Sequence, residues 1–185
     1  MKLLEKFRNT LRSWLGVDYS PALWELEAMG LKIGKNFKAD KPRIDISHCW
    51  LISIGDNVVF GPNVYLLAHD ASTKALLGYT KVGKVSIGDN TFIGADTVVM
   101  PGVSVGKNCV IGSASVVTKD VPDNCVYAGN PAKCICSLED YIEKNKTLMQ
   151  TRPVYDYSYT LGGNITEEKK EQMKNELVDG IGFVL

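Results

Sequence analysis

Ile87-Gly88-Asp89-Asn90-Thr91-Phe92, Ile93-Gly94-Ala95-Asp96-Thr97-Val98, Val105-Gly106-Lys107-Asn108-Cys109-Val110 and Ile111-Gly112-Ser113-Ala114-Ser115-Val116 follow one six-residue pattern. Each unit has an aliphatic residue, then glycine, two turn-type residues, a small or β-branched residue and a variable position. Ile54-Gly55-Asp56-Asn57-Val58-Val59 fits the same frame. A short fixed period outranks local propensity, because one unit cannot bury its apolar side alone and must stack on its neighbours.

Working outward, the leading aliphatic residues fall at 87, 93, 99, 105, 111 and 117 without a slip. A helix would place apolar residues three and four apart, and a flat strand would alternate over a longer run; neither accommodates a repeat of six with glycine second. A short strand followed by a corner does. Three such strands close a triangular coil of eighteen residues. Asn57, Asn63, Asn90, Asp96 and Asn108 at the fourth position suit the corner, since Asn and Asp tolerate left-handed backbone angles. Val58, Val64, Thr91, Thr97, Val103, Cys109, Ser115 and Val121 at the fifth are small or β-branched, as expected of side chains tucked inside it. Coils then hydrogen-bond to one another, and only the two ends present raw strand edges.

The stretch from about Ile46 to Ile135 resembles the hexapeptide-repeat acyltransferases, in particular the sugar O-acetyltransferase branch. Two motifs sharpen the likeness: the closing run Val117-Thr118-Lys119-Asp120-Val121-Pro122 with Ala128-Gly129-Asn130-Pro131-Ala132-Lys133, and Ala68-His69-Asp70 on a segment that leaves the coil. The resemblance implies an all-β fold, a left-handed parallel β-helix with short N- and C-terminal helices. It also implies a homotrimer with active sites between subunits and acetyl-CoA as donor, with no metal.

Composition narrows the field. Twenty-one basic and twenty-one acidic residues cancel in a chain of 185, so no global field draws nucleic acid, and no basic cluster is interleaved with aromatics. No apolar run approaches the roughly eighteen residues of a membrane span, and the start lacks a signal-peptide pattern, so a cytoplasmic protein is expected. Five cysteines, an odd number, argue for reduced thiols rather than a disulfide framework. Cys109 is expected to pack as a small hydrophobe, and Cys134 and Cys136 read as structural.

Three segments are expected: helices over 1–32, the β-helix over 33–135 with an excursion at about 69–84, and a helical tail over 136–185. Residues 2 to 15 read as an amphipathic helix with Leu3, Leu4, Phe7, Leu11, Trp14 and Leu15 on one side. Packing is favoured as its role over lying on a membrane surface. A second helix is read from Pro21 to Met29, with Ser20 as N-cap and Gly30 as stop. Ile33 and Ile54 are twenty-one residues apart, as are Leu66 and Ile87, so the period slips in the early coils and again at the excursion. Long excursions from a regular scaffold are commonly functional. In the tail, Ser137 to Gln150 and Thr166 to about Val178 read as helices expected to cap the coil and brace the oligomer.

Acetyl transfer to a hydroxyl needs a base, donors for the developing oxyanion and alignment of two substrates. His69, at the point matching the family's catalytic histidine, is the expected base. Asp70 or a backbone carbonyl is expected to fix its tautomer. No acyl-carrying nucleophile is evident, which favours direct attack over an acyl-enzyme route. The resemblance assigns Ala95 and Ser113 to the pantetheine track and Thr118, Lys119 and Lys133 to the cofactor. On an eighteen-residue coil, Leu51 would stack beneath position 69, bringing Ser47, His48 and Trp50 within reach as acceptor contacts. Asp70, Lys74 and Tyr79 join them from the excursion.

Other readings are weighed on the same residues. A γ-class carbonic anhydrase binds zinc through three histidines, and only His48 and His69 exist. Serine acetyltransferases carry a large helical module before the coil, for which some thirty residues leave no room. A trimeric scaffold, or an acceptor that is an amine or a non-sugar small molecule, stays open.

Overall fold

The computed structural model describes residues 21–185, which divide into two compact units meeting between Ile135 and Cys136. The expected helix over residues 2 to 15 lies outside the described residues.

The first unit is a coil of three parallel sheets, each taking one short strand per turn. One face stacks Lys32–Ile33, Ile52–Ile54, Val85–Ile87 and Ser104–Val105; the third stacks Arg43–Ile44, Tyr65–Leu66, Val98–Val99 and Val116–Val117. The second runs from Lys38–Ala39 through Val59–Phe60, Phe92–Ile93, Val110–Ile111 and Cys125–Ala128 to Lys133–Ser137, the strand on which the boundary between units falls. In the regular half, Phe92 pairs with Val110, Val98 with Val116 and Ser86 with Ser104, the eighteen-residue turn read from the repeat.

The repeat explains the interior. Ile87, Ile93, Val99, Val105, Ile111 and Val117 are buried, and so are Thr91, Thr97, Val103, Cys109, Ser115 and Val121 at the fifth position. Two side chains per hexapeptide thus fill the prism. The polar ones are satisfied: Thr91 Oγ1 donates to the Gly106 carbonyl at 2.9 Å and Thr97 Oγ1 to that of Gly112 at 3.1 Å.

The corners adopt the left-handed conformation at Asn57, Asn63, Asn90, Asp96 and Asn108, with φ between 52° and 57°. Their amides also form a ladder down one edge, Asn36 to Asn57 at 2.9 Å, Asn57 to Asn90 and Asn90 to Asn108 at 3.1 Å, and Asn108 to Asn124 at 3.0 Å. The neighbouring edge pairs Asn63 with Asp96 at 3.1 Å and ends on Ala114, whose φ of 56° lacks the side-chain support of the rest. Glycine in second place lets coils approach. A Cβ on Gly94 would fall 2.5 Å from the Ser113 nitrogen.

The helix and the early register are corrected, and the expected excursion gains detail. The second helix is shorter, Leu23–Ala28, and its N-cap is Ala22 rather than Ser20; Glu25 reaches back to accept the Ala22 N–H at 2.9 Å, the glutamate half of a capping box. The early coil is longer than eighteen residues: Ile33 pairs with Ile54, but Arg43 pairs with Tyr65 and Ile44 with Leu66. Position 44, not 48, therefore lies beneath Leu66. The extra residues form the loop from Asp45 and the 3-10 turn Cys49–Leu51. Finally, the excursion is a small hairpin, His69–Asp70 antiparallel to Lys81–Val82, with a turn at Ala71–Thr73 and a helical turn Lys74–Leu77 between.

The second unit holds helices Leu138–Met149 and Glu167–Glu176, capped by Ser137 and Thr166, and a parallel strand pair, Val154–Tyr155 with Phe183–Val184. Buried Tyr155 donates its hydroxyl to Glu176 Oε2 at 2.8 Å.

Candidate active site

His69 begins the strand that leaves the coil, and the segment beneath it supplies its partner. Asp45 follows the strand Arg43–Ile44, where its N–H donates to the Leu66 carbonyl at 3.0 Å and ties it one turn below position 67. Its carboxylate is buried, with 1% of the side chain exposed, and Oδ2 lies 2.5 Å from His69 Nδ1. The same oxygen accepts the Ala68 N–H at 2.9 Å, while Oδ1 accepts the Ser47 N–H at 3.0 Å. Three N–H groups thus hold one carboxylate, and the carboxylate holds one imidazole. With Nδ1 donating to Asp45, Nε2 is the accepting nitrogen of the neutral ring. About a third of the His69 side chain, 32%, is exposed.

Asp45 is the residue that sequence reasoning missed. Asp70 does not orient His69. It binds Lys81 at 2.5 Å and the Ser72 N–H at 2.8 Å, bracing the excursion hairpin. The Lys81 ammonium and those local bonds hold its carboxyl down to about 2. Neighbours in an extended segment point to opposite sides, so a group one turn away meets the ring where the next residue cannot. The one signal in the sequence was the slip in the early repeat, which moves Asp45 under the exit of the coil.

His48 stands beside His69, ring centres 5.2 Å apart, and Trp50 beside His48 at 5.4 Å. Trp50 is 54% exposed. His48 Nδ1 is buried without a hydrogen-bond partner. Ser47 contributes its N–H to Asp45, and its side chain is exposed. Asp45, His48 and His69 bring ligand-type atoms within 4.8 Å of one another, so a carboxylate supplies the third group that a count of histidines leaves out. Both Asp45 oxygens already accept N–H donors, a set that serves orientation of the ring.

Lys74 and Tyr79 lie on the outer part of the excursion, both exposed, and no hydrogen bond or ion pair among the described residues links them to His69. The tyrosine carbonyl accepts from Thr73 Oγ1 at 2.8 Å. The structure therefore assembles Asp45, Ser47, His48, Trp50 and His69 within one chain, and leaves Asp70, Lys74 and Tyr79 outside that group.

Ala95 and Ser113 occupy the third position of hexapeptides in successive coils, and Ala114 N–H donates to the Ala95 carbonyl at 2.8 Å. Ser113 is exposed and Ala95 half-buried. Thr118 and Lys119 follow the strand Val116–Val117, and Lys133 opens the strand Lys133–Ser137; all three are exposed. Neither Lys119 nor Lys133 has a carboxylate partner among the described residues, in contrast to Lys107, which binds Asp89 at 2.8 Å. Ammonium groups without a carboxylate partner suit a phosphate-bearing ligand. Cys109 is fully buried, its Sγ 3.1 Å from the Pro122 carbonyl, and burial pushes its thiol up, away from the nucleophilic thiolate.

A family model describing the hexapeptide repeat of succinyl-transferase matches residues 84–119. Among curated proteins, the chain is 40% identical over 95 residues to a putative acetyltransferase, YvoF, of Bacillus subtilis (strain 168), covering 51% of this chain and 53% of that one. It is 37% identical over 123 residues to a galactoside O-acetyltransferase of Escherichia coli (strain K12), covering 65% of this chain and 60% of the relative. Among solved structures, a maltose O-acetyltransferase from Clostridium difficile 630 matches with a TM-score of 0.51 and 32% identity, over 60% of this chain and 72% of that one. The chain thus spans between half and two thirds of the length of these curated relatives.

Proposed function

The chain belongs to the hexapeptide-repeat acetyltransferases, on the side of the sugar O-acetyltransferases, and on that premise we propose that it moves an acetyl group from acetyl-CoA to a hydroxyl of a saccharide. The observation that carries this reading is the pair His69–Asp45 at the exit of the coil, with Nδ1 held by a buried carboxylate and Nε2 left to accept a proton.

In this mechanism His69 Nε2 takes the proton of the acceptor hydroxyl as its oxygen attacks the thioester carbonyl carbon. The C–S bond then breaks, and the imidazolium returns the proton to the departing thiolate of CoA. Asp45 keeps the ring in one tautomer and stabilises the cation formed midway. Direct attack in a ternary complex fits a chain whose repeat carries its one cysteine buried and hard to ionise.

Acetyl-CoA would lie along Ala95 and Ser113, with Thr118, Lys119 and Lys133 at its polar end, and the saccharide would meet His48, Trp50 and Ser47. Each would be completed by a neighbouring copy in a trimer of left-handed coils. No helix of the described residues is long and apolar enough to cross a membrane. A place in the cytoplasm, where acetyl-CoA is made, accords with the reaction.

A ligand that binds only the folded state raises its apparent stability. The thermal midpoint should therefore rise with saturating acetyl-CoA, rise as much in His69→Ala, and rise less in Lys119→Ala. No rise in the wild type would remove the cofactor assignment and favour a scaffold.

A further inference from the structure

Trp50, beside His48, also lines a groove on the outside of the first sheet. Lys32 pairs in register with Ser53, Ser53 with Ser86, and Ser86 with Ser104, so one polar side chain per coil stands at the same height on this face. Ser53 lies between buried Ile52 and Ile54, and Ser86 between buried Val85 and Ile87; strand alternation turns both hydroxyls outward. Trp50 stands at the margin. It is seated there by Gly30, where φ is +110° and a Cβ would fall 2.9 Å from the Trp50 Cβ, so only glycine lets the preceding helix end this close to the indole.

These residues, with Lys84, wall a groove of about 310 Å³. That is the lower end of volumes that hold small ligands, roughly 300–1,000 Å³. Its polar equipment is three hydroxyls, an aromatic plane and two ammonium groups. No carboxylate lines it. Among the described residues neither Lys32 nor Lys84 has an acidic partner, whereas Lys81 and Lys107 each do. At Ser104 the lining turns acidic, where Asp120 Oδ1 accepts the Ser104 N–H at 2.7 Å, and it continues to Lys107 and Asp123. The uncompensated positive charge therefore shares the groove with Trp50, whose ring centre lies 5.4 Å from that of His48.

We propose that this groove is where the acceptor saccharide docks, and that it selects an anionic one. The apolar face of a sugar ring lies on Trp50, its hydroxyls exchange hydrogen bonds with Ser53, Ser86 and Ser104, and its negative group meets Lys32 and Lys84. A carboxylate and a phosphate share this chemistry. The assignment rests on the acetyltransferase reading above, because that reading places a hydroxyl of the same ligand at His69.

The test measures binding of glucose, glucuronate and glucose 1-phosphate by calorimetry, at low and high salt, to the wild type and to Lys32→Ala/Lys84→Ala. Thiol release from acetyl-CoA is followed in the same samples. At least one anion should bind about tenfold more tightly than glucose, the scale of one charge-assisted hydrogen bond. The preference should fall with salt and vanish in the double variant, and the better of the two anions identifies the group. Trp50→Ala should weaken all three ligands together. Equal affinity for the three, no binding of any, or a preference that survives in the double variant overturns the proposal. Selective anion binding without thiol release would keep the groove and remove the transfer reaction. Thiol release onto glucose with no anion preference would do the reverse.

Discussion

The regular half of the coil, from Val85 to Val121, and the two interruptions below it are built on opposite terms. In the regular half each side chain has one environment repeated every eighteen residues, and its buried positions are aliphatic residues, hydrogen-bonded hydroxyls and the Cys109 thiol. In the interruptions, residues 45–51 and the excursion 69–84, the period fails, and there the chain buries a carboxylate against an imidazole and exposes an indole. Repetition yields a rigid prism but can place only the same contact again and again. A reactive group needs a single, unrepeated neighbourhood, which the slip in register supplies. The rigid half then serves as the support that keeps Asp45 and His69 at hydrogen-bond distance.

That contrast predicts which property each region controls. Ile93→Ala, in the regular half, deletes a fully buried side chain and should cost about 2–5 kcal/mol of stability. Denaturant unfolding checks the loss, and turnover per folded molecule should be unchanged; a fall in turnover at full folding would break the division of labour. Asp45→Asn, in the interruption, keeps the size of the side chain but presents an amide to the ring. It should lower kcat about 100-fold, the low end of what general-base catalysis contributes, with the acetyl-CoA-induced rise in thermal midpoint retained.

Smaller effects sharpen the comparison further. Ala114→Asn places the ladder's own residue at the left-handed corner that lacks it and should add about 1 kcal/mol, the scale of the strain an ordinary residue bears there. Asp70 should titrate near 2 by carboxyl NMR and return toward the ordinary range in Lys81→Met. Because the folded value is depressed, the stabilisation of the hairpin by this pair is complete above the ordinary carboxylate value. It is lost as pH falls through about 2.

How much of this was legible follows from the same contrast. The period of six dictated the strands, the corners and the inward positions, and Cys109 as a packed thiol, because each depends on residues a few places apart. His69 was singled out where the period breaks because that position matches the family's catalytic histidine. Its partner was not. Asp45 sits twenty-four residues away in a segment whose offset is neither eighteen nor twenty-one, so assuming a regular turn placed Leu51 there instead and left the tautomer to Asp70 or a carbonyl. The helix cap was misread for a local reason: the helix starts at Leu23, so its N-cap is Ala22, which has no hydroxyl. His48 and Trp50 were named from a regular turn that would stack Leu51 beneath position 69; the register differs, and it is the longer loop that brings His48 beside His69, while the lysines and serines of the outer face emerged only once strand register set them side by side.

The proposed transfer passes a proton through His69. It is tested most directly by coupled measurement of thiol release and acetylated saccharide in the wild type and in His69→Ala, with acetyl-CoA binding verified in both. The account predicts that His69→Ala binds acetyl-CoA as the wild type does and loses about 10³-fold in kcat. A variant that binds acetyl-CoA and still transfers at near the wild-type rate would contradict it.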